Sequence, residues 1–317
     1  MDSPRYTVIV PVLRFGADEP VLASLRETLP PNGLPQILVV EGWHPARQRN
    51  AALLKARGEI IVFLDNDCRL GPHFWEALET AFARPEVQIV GGPALLRSDA
   101  TEPEKIFHAL LTHPLVVGPI CTRYAARGVF RVATETQLIL CNLAARRSIF
   151  AKIGPLSPKL YPNEENEWLD RAQNAHVAIY YDPHQQVFRP QRSTWWEMIR
   201  MLFRYGMGRT RQLQVSGWQL SAQHLLPLIW IVPILAFFLG PPFVAGLFLL
   251  WLLVSIVVGA TCDSHLRLGQ RCVAGLIAPL IPVIYTMGQA IGWIALLVPL
   301  PSESEIKIYN EKGEQLS

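Results

Sequence analysis

The sequence is poor in cysteine. Its 317 residues include 5 cysteines, an odd number, and no two of them form a Cys-x-x-Cys pair. This usage is typical of reduced thiols in a cytosolic or membrane setting. Cys68, which follows two acidic residues, is therefore interpreted as a small packing residue rather than a reactive thiol.

Two nucleotide-binding patterns are also missing. There is no Gly-x-x-x-x-Gly-Lys-Ser/Thr loop, and the pair Gly206 and Gly208 falls outside any predicted strand-to-helix turn, so a dinucleotide fingerprint is not supported. The net charge is only +3, and no basic face interleaved with aromatic residues is evident. We therefore expect no nucleic-acid partner.

Charge is absent from two long tracts, residues 225–262 and 272–302. A bilayer core needs about 20 apolar residues per helix, so the tracts predict three or four membrane crossings. Gly240-Pro241-Pro242 is typical of a hairpin between two spans. Pro279 and Pro282 indicate either one kinked span or a tight re-entrant pair.

The remaining charges predict an orientation. The amino terminus enters a strand with no apolar signal segment, so we expect the amino-terminal half to lie in the cytoplasm of a multi-pass protein of the inner or plasma membrane. Arginines crowd the membrane-proximal segments, as the positive-inside rule requires: Arg189, Arg192, Arg200, Arg204, Arg209, Arg211, Arg267 and Arg271. The weakly acidic tail after Ser302 would lie outside with three spans and return with four, and the charges do not decide between them.

The amino-terminal half alternates strands and helices. Tyr6–Val12, residues 36–40 and Ile60–Leu64 have the apolar patterns of strands, and residues 45–58 predict a helix closed by Gly58. This alternation indicates an α/β fold with a parallel sheet.

Two carboxylates follow the third predicted strand. Asp65-Asn66-Asp67 comes directly after Ile60–Leu64, at the sheet edge where ligands bind in open α/β folds. Paired acids there can hold a hard divalent cation and leave its other positions to phosphate oxygens and water. The alternative is a simple turn, which Asp and Asn also favour.

An ordered set of motifs resembles the family 2 glycosyltransferases. They are Val-Ile-Val-Pro-Val at residues 8–12, Ala-Arg-x-Arg-Asn at 46–50, and Gly-Glu-Ile-Ile-Val-Phe-Leu-Asp-Asn-Asp at 58–67. The resemblance implies a GT-A fold, a mostly parallel sheet with helices on both faces. The expected organisation is a cytoplasmic GT-A domain over 1–190 (donor half 1–95, acceptor half 96–190), an amphipathic interface segment over 191–222, transmembrane helices over 223–302, and a tail over 303–317.

The same resemblance implies the donor site. Asp67 would bind Mg²⁺ or Mn²⁺ directly, and Asp65 would contact the metal or the ribose. Glu41 would bind the nucleobase or ribose, above a loop shaped by Pro11. Further residues carried over with a donor or metal role are Arg49 and Asn50, which order the nucleotide pocket, and His184, an extra metal ligand in some relatives.

The acceptor site is expected at Glu164-Glu165, where the family carries a Glu-Asp pair whose second acid is the general base. Carried over by position, Glu165 is the base and Glu164 orients the acceptor, although the sequence leaves open which of the two is the base. Acids also suit a first helical turn for purely structural reasons. Asn142, in a segment that also resembles the family, either faces the sugar or belongs to the core.

Trp195 and Trp196 beside spaced arginines predict an amphipathic segment at the membrane surface. The Arg204-Tyr-Gly-x-Gly-Arg209 run is similar to that of succinoglycan-type exopolysaccharide glycosyltransferases. Processive synthases carry Gln-x-x-Arg-Trp there, and this chain lacks both the glutamine and the tryptophan, so single addition is expected. Arg204 and Arg209 would meet the donor diphosphate or a lipid phosphate, or only anchor the segment to headgroups.

These expectations describe a membrane-anchored, inverting glycosyltransferase that moves a sugar from a nucleotide sugar, UDP-linked by expectation, to a lipid-linked saccharide acceptor. Two alternatives stay open: a polyprenyl-phosphate sugar synthase of the dolichyl-phosphate type, and a non-catalytic membrane subunit that binds nucleotide sugars. Membrane lipids are expected contacts, and the sequence leaves the oligomeric state open.

Overall fold

A computed structural model describes residues 3–16, 19–218, 222–263, 265–296, 306–310 and 314–315. The chain divides into two compact units. The first consists of Met1–Arg97, Thr122–Pro190 and Leu300–Ser317, and the second of Ser98–Cys121 and Gln191–Pro299.

The first unit contains the strands. They are β1 (Tyr6–Val12), β2 (Gln36–Glu41), β3 (Ile60–Leu64), β4 (Arg69–Leu70), β5 (Ile89–Gly91), β6 (Ala94–Leu96), β7 (Arg131–Val132), β8 (Asn142–Arg146), β9 (Ile179–Tyr181), β10 (Val187–Arg189) and β11 (Lys307–Asn310). Its helices, and those of the second unit, are numbered together along the chain: α1 (Pro20–Glu27), α2 (Pro45–Leu53), α3 (Phe74–Phe82), α4 (Glu102–Leu111), α5 (Pro114–Val117), α6 (Ile149–Ile153), α7 (Glu164–Asn174), α8 (Trp195–Val215), α9 (Ile231–Leu239), α10 (Pro241–Thr261), α11 (Leu268–Ile277) and α12 (Leu280–Ala295). Of these, α4, α5 and α8 to α12 belong to the second unit.

The main sheet has eight strands within the described part of the chain, in the order β11-β2-β1-β3-β8-β5-β9-β7. Strands β2, β1 and β3 are parallel, as are β5 and β9, whereas β8, β7 and β11 run antiparallel to their neighbours. A smaller sheet pairs β4, β10 and β6. Buried side chains form one cluster on each face of the main sheet. The GT-A fold predicted from the sequence is confirmed, with a mixed sheet.

The predicted first and third strands match the structure, and β3 is buried along its whole length, as its unbroken apolar run requires. The helix predicted over residues 45–58 is too long, because α2 ends at Leu53. Gly58 is not a helix cap. It packs against β1, where an added Cβ would lie 2.5 Å from the backbone nitrogen of Thr7. The close approach of two backbones, rather than the end of a helix, explains the glycine.

The acidic tail contributes a strand that the sequence analysis did not predict. Strand β11 pairs antiparallel with β2, and Lys307 lies opposite Glu41. Tyr309 stacks on Phe15 with ring centroids 5.0 Å apart. The predicted tail also includes residues 303–305, 311–313 and 316–317, which lie outside the described residues.

The second unit contains the apolar helices. Two segments are long and apolar enough to cross a membrane, Pro241–Thr261 and Leu268–Ile294, and a shorter apolar helix covers His224–Leu239. The helical structure is interrupted at Gly240, between α9 and α10, and again next to Pro279, between α11 and α12. Residues 297–302 of the second predicted tract lie outside the part that the structure describes.

Within this unit, α8 packs closely along α12 through glycines. An added Cβ at Gly206 would meet the carbonyl oxygen of Tyr285, and one at Gly288 would meet that of Phe203. Thr210 donates a hydrogen bond of 3.0 Å to the carbonyl oxygen of Gln289. Small residues spaced four apart allow two helix backbones to approach in this way.

Candidate active site

Asp65 and Asp67 lie at the carboxyl end of β3, as predicted, and their carboxylates converge on one side chain. Arg189 donates from Nη1 to Oδ2 of Asp65 at 3.2 Å and from Nη2 to Oδ2 of Asp67 at 3.1 Å. The Asp65 and Asp67 side chains are 27% and 34% exposed, so both are accessible from solvent. Two partly exposed carboxylates that point at one position form a cation-binding arrangement, and the cation it holds here is a guanidinium.

Arg49 connects this pair to the second acidic motif. It lies on α2, is buried, and donates from Nη2 to Oδ1 of Asp65 at 2.7 Å. Its Nη1 lies 3.5 Å from Oε1 of Glu164, the first residue of α7. The structure therefore brings together Arg49, Asp65 and Glu164, which are far apart in the sequence.

The two glutamates at the start of α7 have different partners. Burial, and secondly the nearby charge of Glu165, raise the pKa of Glu164 from its usual value of 4.5 to about 8, although Arg49 acts in the opposite direction. Glu165 lies 3.7 Å from Nη1 of Arg123. At neutral pH the Glu164 carboxyl therefore keeps its proton. Neither contact identifies the base, so the assignment of Glu165 stays a prediction.

Arg123 was missed by the sequence analysis. It is buried, donates from Nε to the carbonyl oxygen of Thr136 at 2.7 Å, and donates from Nη2 to Oδ1 of Asn166 at 2.5 Å. Its role depends on tertiary contacts with α7, and no sequence signal marks it.

Arg189 was predicted only as one of the membrane-proximal arginines. It is the last residue of β10, whose residue Phe188 pairs with Arg69 in β4. Because β4 begins two residues after Asp67, this pairing places Arg189 beside the acids. Recognising the contact would have required the β4–β10 pairing, which joins two very short strands.

Of the other residues predicted to contact the donor, Pro11 and Glu41 lie near the ends of β1 and β2, and Asn50 lies in α2. Pro11 is in register with Val40 on the neighbouring strand. Glu41 ends β2 and accepts a hydrogen bond from the backbone nitrogen of Phe15 at 2.9 Å through Oε2. Asn50 is bonded to Leu156 twice: Nδ2 donates to its carbonyl oxygen at 2.7 Å, and Oδ1 accepts from its nitrogen at 3.1 Å. Asn50 thus ties α2 to a distant loop.

Asn142 belongs to the core, one of the two predicted possibilities. It is fully buried and donates from Nδ2 to the carbonyl oxygens of Pro93 at 2.9 Å and Gln185 at 2.6 Å. Its Oδ1 accepts from Nε2 of Gln185 at 2.9 Å. All of its polar atoms are therefore engaged within the protein, and none is available to a sugar.

The contacts of His184 and Arg209 lie within the protein. His184 is exposed, and its backbone nitrogen donates to Oδ1 of Asp182 at 2.9 Å. Arg209 is buried in the second unit and donates from Nη1 to Oε1 of Gln212 at 3.3 Å. The predicted ligand roles of His184, Arg204 and Arg209 stay predictions.

The residues present fit a divalent cation in part. Two carboxylates converge, and carboxylate oxygens are the ligands that Mg²⁺ and Mn²⁺ prefer. No group of three or more His, Cys, Asp or Glu residues that could hold a metal occurs among the described residues. A cation bound here would therefore take its remaining ligands from water or from a donor, as Mg²⁺ does in phosphate-transfer sites.

Comparison with known proteins gives one sequence match and several structural ones. Residues 34–154 match the family model described as "Glycosyl transferase family 2". A comparison with curated protein sequences gives no significant match.

Among solved structures, the chain is similar to the mannosyltransferase PcManGT from Pyrobaculum calidifontis in complex with GDP-Man and Mn²⁺. The sequence identity is 15%, the TM-score is 0.47, and 93% of this chain and 76% of that chain are covered. It is also similar to GalNAc-T7 with UDP, GalNAc and Mn²⁺, with 11% identity, a TM-score of 0.44, and coverage of 69% of this chain and 54% of that chain.

The matched segment runs from just before β2, through the Asp65-Asn66-Asp67 strand end, to the end of α6. The match to the glycosyl transferase family 2 model thus covers less than half of the chain, and it includes three central strands of the main sheet, β2, β3 and β8.

Proposed function

We propose that the chain is a membrane-associated, inverting glycosyltransferase that moves a sugar from a UDP-linked donor to a lipid-linked saccharide acceptor. The observation that carries this proposal is the link from Asp65 through Arg49 to Glu164. The link puts the expected donor-side acids and the expected acceptor-side acids next to each other, as a direct displacement requires.

In the proposed reaction, Asp65 and Asp67 are the residues that would hold a divalent cation. When bound, the cation supplies charge stabilisation to the departing nucleoside diphosphate. Arg49 holds Asp65 in place from the buried side, and Glu41 binds the nucleobase or ribose.

On the acceptor side, Glu165 takes the proton of the attacking hydroxyl, and the single displacement inverts the anomeric carbon. Glu164, which keeps its proton at neutral pH, orients the acceptor through a neutral carboxyl. Arg123 supports Glu165 as an ion-pair partner.

The membrane part of the proposal depends on the apolar helices. Pro241–Thr261 has a mean hydropathy of 2.6, and only 11% of its most apolar window is buried inside the protein. A helix that exposes so much apolar surface requires an apolar surrounding. A bilayer provides that surrounding and delivers a lipid-linked acceptor to the cytoplasmic face, where we place the catalytic unit.

The test is a transfer assay with the full chain in nanodiscs, a panel of UDP- and GDP-sugars, and membrane lipid extract, with and without Mn²⁺. We expect cation-dependent transfer from a UDP-sugar to lipid, and its loss in D67N. Full activity of D67N would contradict the proposed role of the acids. A product labile to mild acid would indicate a polyprenyl-phosphate acceptor, and donor binding without hydrolysis or transfer would indicate a non-catalytic subunit.

A further inference from the structure

The guanidinium of Arg189 spans both acids of the β3 end. Each terminal nitrogen contacts one carboxylate, Asp65 at 3.2 Å and Asp67 at 3.1 Å. An arginine side chain is always charged in proteins, so this is a resident cation rather than a neutral hydrogen-bond donor. The acids therefore have a cationic partner before any metal arrives.

A divalent cation needs the same oxygens. Mg²⁺ binds carboxylate oxygens at about 2.0–2.1 Å, so an ion held by Oδ2 of both acids would sit against the guanidinium, charge to like charge. Repulsion between the two cations therefore weakens the binding of each to that pair of oxygens. From this geometry we infer that Arg189 is a positioning residue: it holds Asp65 and Asp67 together in the cation-free protein and competes with the divalent cation for them. The inference deepens the proposed function and rests on it.

The surroundings of Arg189 allow it to leave. It ends the three-residue strand β10, and its side chain is 18% exposed. Its Nε is buried and has no hydrogen-bond partner among the described residues, so the hydrogen bonds that displacement breaks there are those of the terminal nitrogens. Asp65 keeps its 2.7 Å contact with Arg49 when Arg189 moves, so one acid stays oriented for the incoming ion.

The released guanidinium keeps its charge and is available to an anionic group. A donor diphosphate that arrives with the cation is such a group, because guanidinium and phosphate form strong, charge-assisted hydrogen bonds. The cation alone must displace Arg189 with no compensation, whereas the cation with a nucleoside diphosphate gives Arg189 a new partner. Competition therefore predicts weak binding of the metal alone and strong synergy between metal and donor.

The experiment measures Mn²⁺ binding to the full chain by electron paramagnetic resonance of the free ion, with and without UDP. We expect R189Q to bind Mn²⁺ alone at least about tenfold more tightly than the wild type, a difference of about 1.4 kcal/mol. We also expect UDP to increase Mn²⁺ affinity less in R189Q than in the wild type. R189K, whose single ammonium cannot contact both acids as a fork does, should lie between the two.

Matched variants separate competition from general effects. R69Q removes an exposed positive charge two residues from Asp67 and should change Mn²⁺ affinity much less than R189Q does. The double variant D67N/R189Q should not bind Mn²⁺ more tightly than the wild type. This result would show that the tighter binding in R189Q occurs at these acids. If Arg189 only held the two acids in place, R189Q would bind Mn²⁺ more weakly than the wild type, because the acids would be less well positioned. Unchanged or weaker Mn²⁺ binding in R189Q would overturn the inference, and if R189Q does not fold, weaker binding in R189K would do so.

The Mn²⁺ binding measurement and the sugar-transfer assay test different claims, so one can fail while the other succeeds. Tighter Mn²⁺ binding in R189Q without sugar transfer by the wild type from any donor would support the competition and count against the proposed enzyme. Cation-dependent transfer by the wild type with unchanged Mn²⁺ affinity in R189Q would support the enzyme and reject the competition.

Discussion

Glu164 is a buried acid whose removal should stabilise the protein at alkaline pH. Its side chain lies at the start of α7, 3.5 Å from Arg49, and burial is the largest cause that raises its pKa to about 8. In the unfolded chain the same carboxyl has its usual value of 4.5. E164Q replaces it with a neutral group of nearly the same shape.

The sign follows from the two pKa values. Below pH 4.5 the carboxyl is protonated in both states, so its proton does not affect stability. Between pH 4.5 and 8 the unfolded state releases the proton and the folded state keeps it, so the wild type loses stability as pH rises. At about 1.4 kcal/mol per pKa unit, the loss is on the order of 4–5 kcal/mol above pH 8. E164Q does not have this loss, because its amide does not titrate.

The measurement is the thermal midpoint of the full chain in detergent, at intervals from pH 5 to pH 9. Wild type and E164Q should be similar at pH 5, and E164Q should be higher by several degrees at pH 9. E165Q is the matched control in the same helical turn. E165Q should reduce the stability that the protein loses between pH 5 and pH 9, but it should not abolish this loss. Burial raises the pKa of Glu164 more than the charge of Glu165 does. Parallel pH profiles for wild type and E164Q would refute the reasoning.

Three further predictions concern the fold. N142A should lower the free energy of unfolding by about 3 kcal/mol or more in denaturant titrations. The substitution leaves Gln185 Nε2 and two buried carbonyl oxygens without the hydrogen bonds that Asn142 makes to them. A smaller loss would contradict this network. G206V should prevent assembly of the second unit, seen as aggregation in size-exclusion chromatography, because its side chain meets a backbone carbonyl; G246V, with open space around it, is the control and should remain monodisperse. If the apolar helices cross a membrane, reporters fused to the two chain ends should report the same compartment, and opposite compartments would contradict the β2–β11 pairing.

Patterns that depend on neighbours in the sequence predicted the structure well. Strands β1 and β3, the position of Asp65 and Asp67, and the acidic start of α7 all follow from local apolar runs and motif order. The length of α2 did not follow. Gly58 suggested a helix end, but it serves the contact with Thr7 on a strand 51 residues away.

Contacts that depend on pairing of distant strands were beyond the sequence. Arg189 lies 122 residues from Asp67, and Arg123 lies 42 residues from Glu165. Arg189 ends a strand of three residues, and Arg123 ends a short 3-10 helix. Their charge alone suggested membrane proximity for one and nothing for the other. A single arginine has no sequence pattern that distinguishes a resident cation from a surface charge.

The pairing of strand β11 with β2 limits the number of membrane crossings that the chain could make, which the charges of the tail leave open. The tail was compatible with either side of a membrane, because its few charges give no orientation. Its pairing with β2 places Ile308 opposite Val40 in the main sheet, where Ile308 is buried. A strand cannot join that sheet from across a bilayer, since backbone hydrogen bonds connect the two strands directly. If the apolar helices cross a membrane, the number of crossings between Pro190 and Lys307 must therefore be even, and an arrangement with three spans would break the pairing of β11 with β2 next to Glu41.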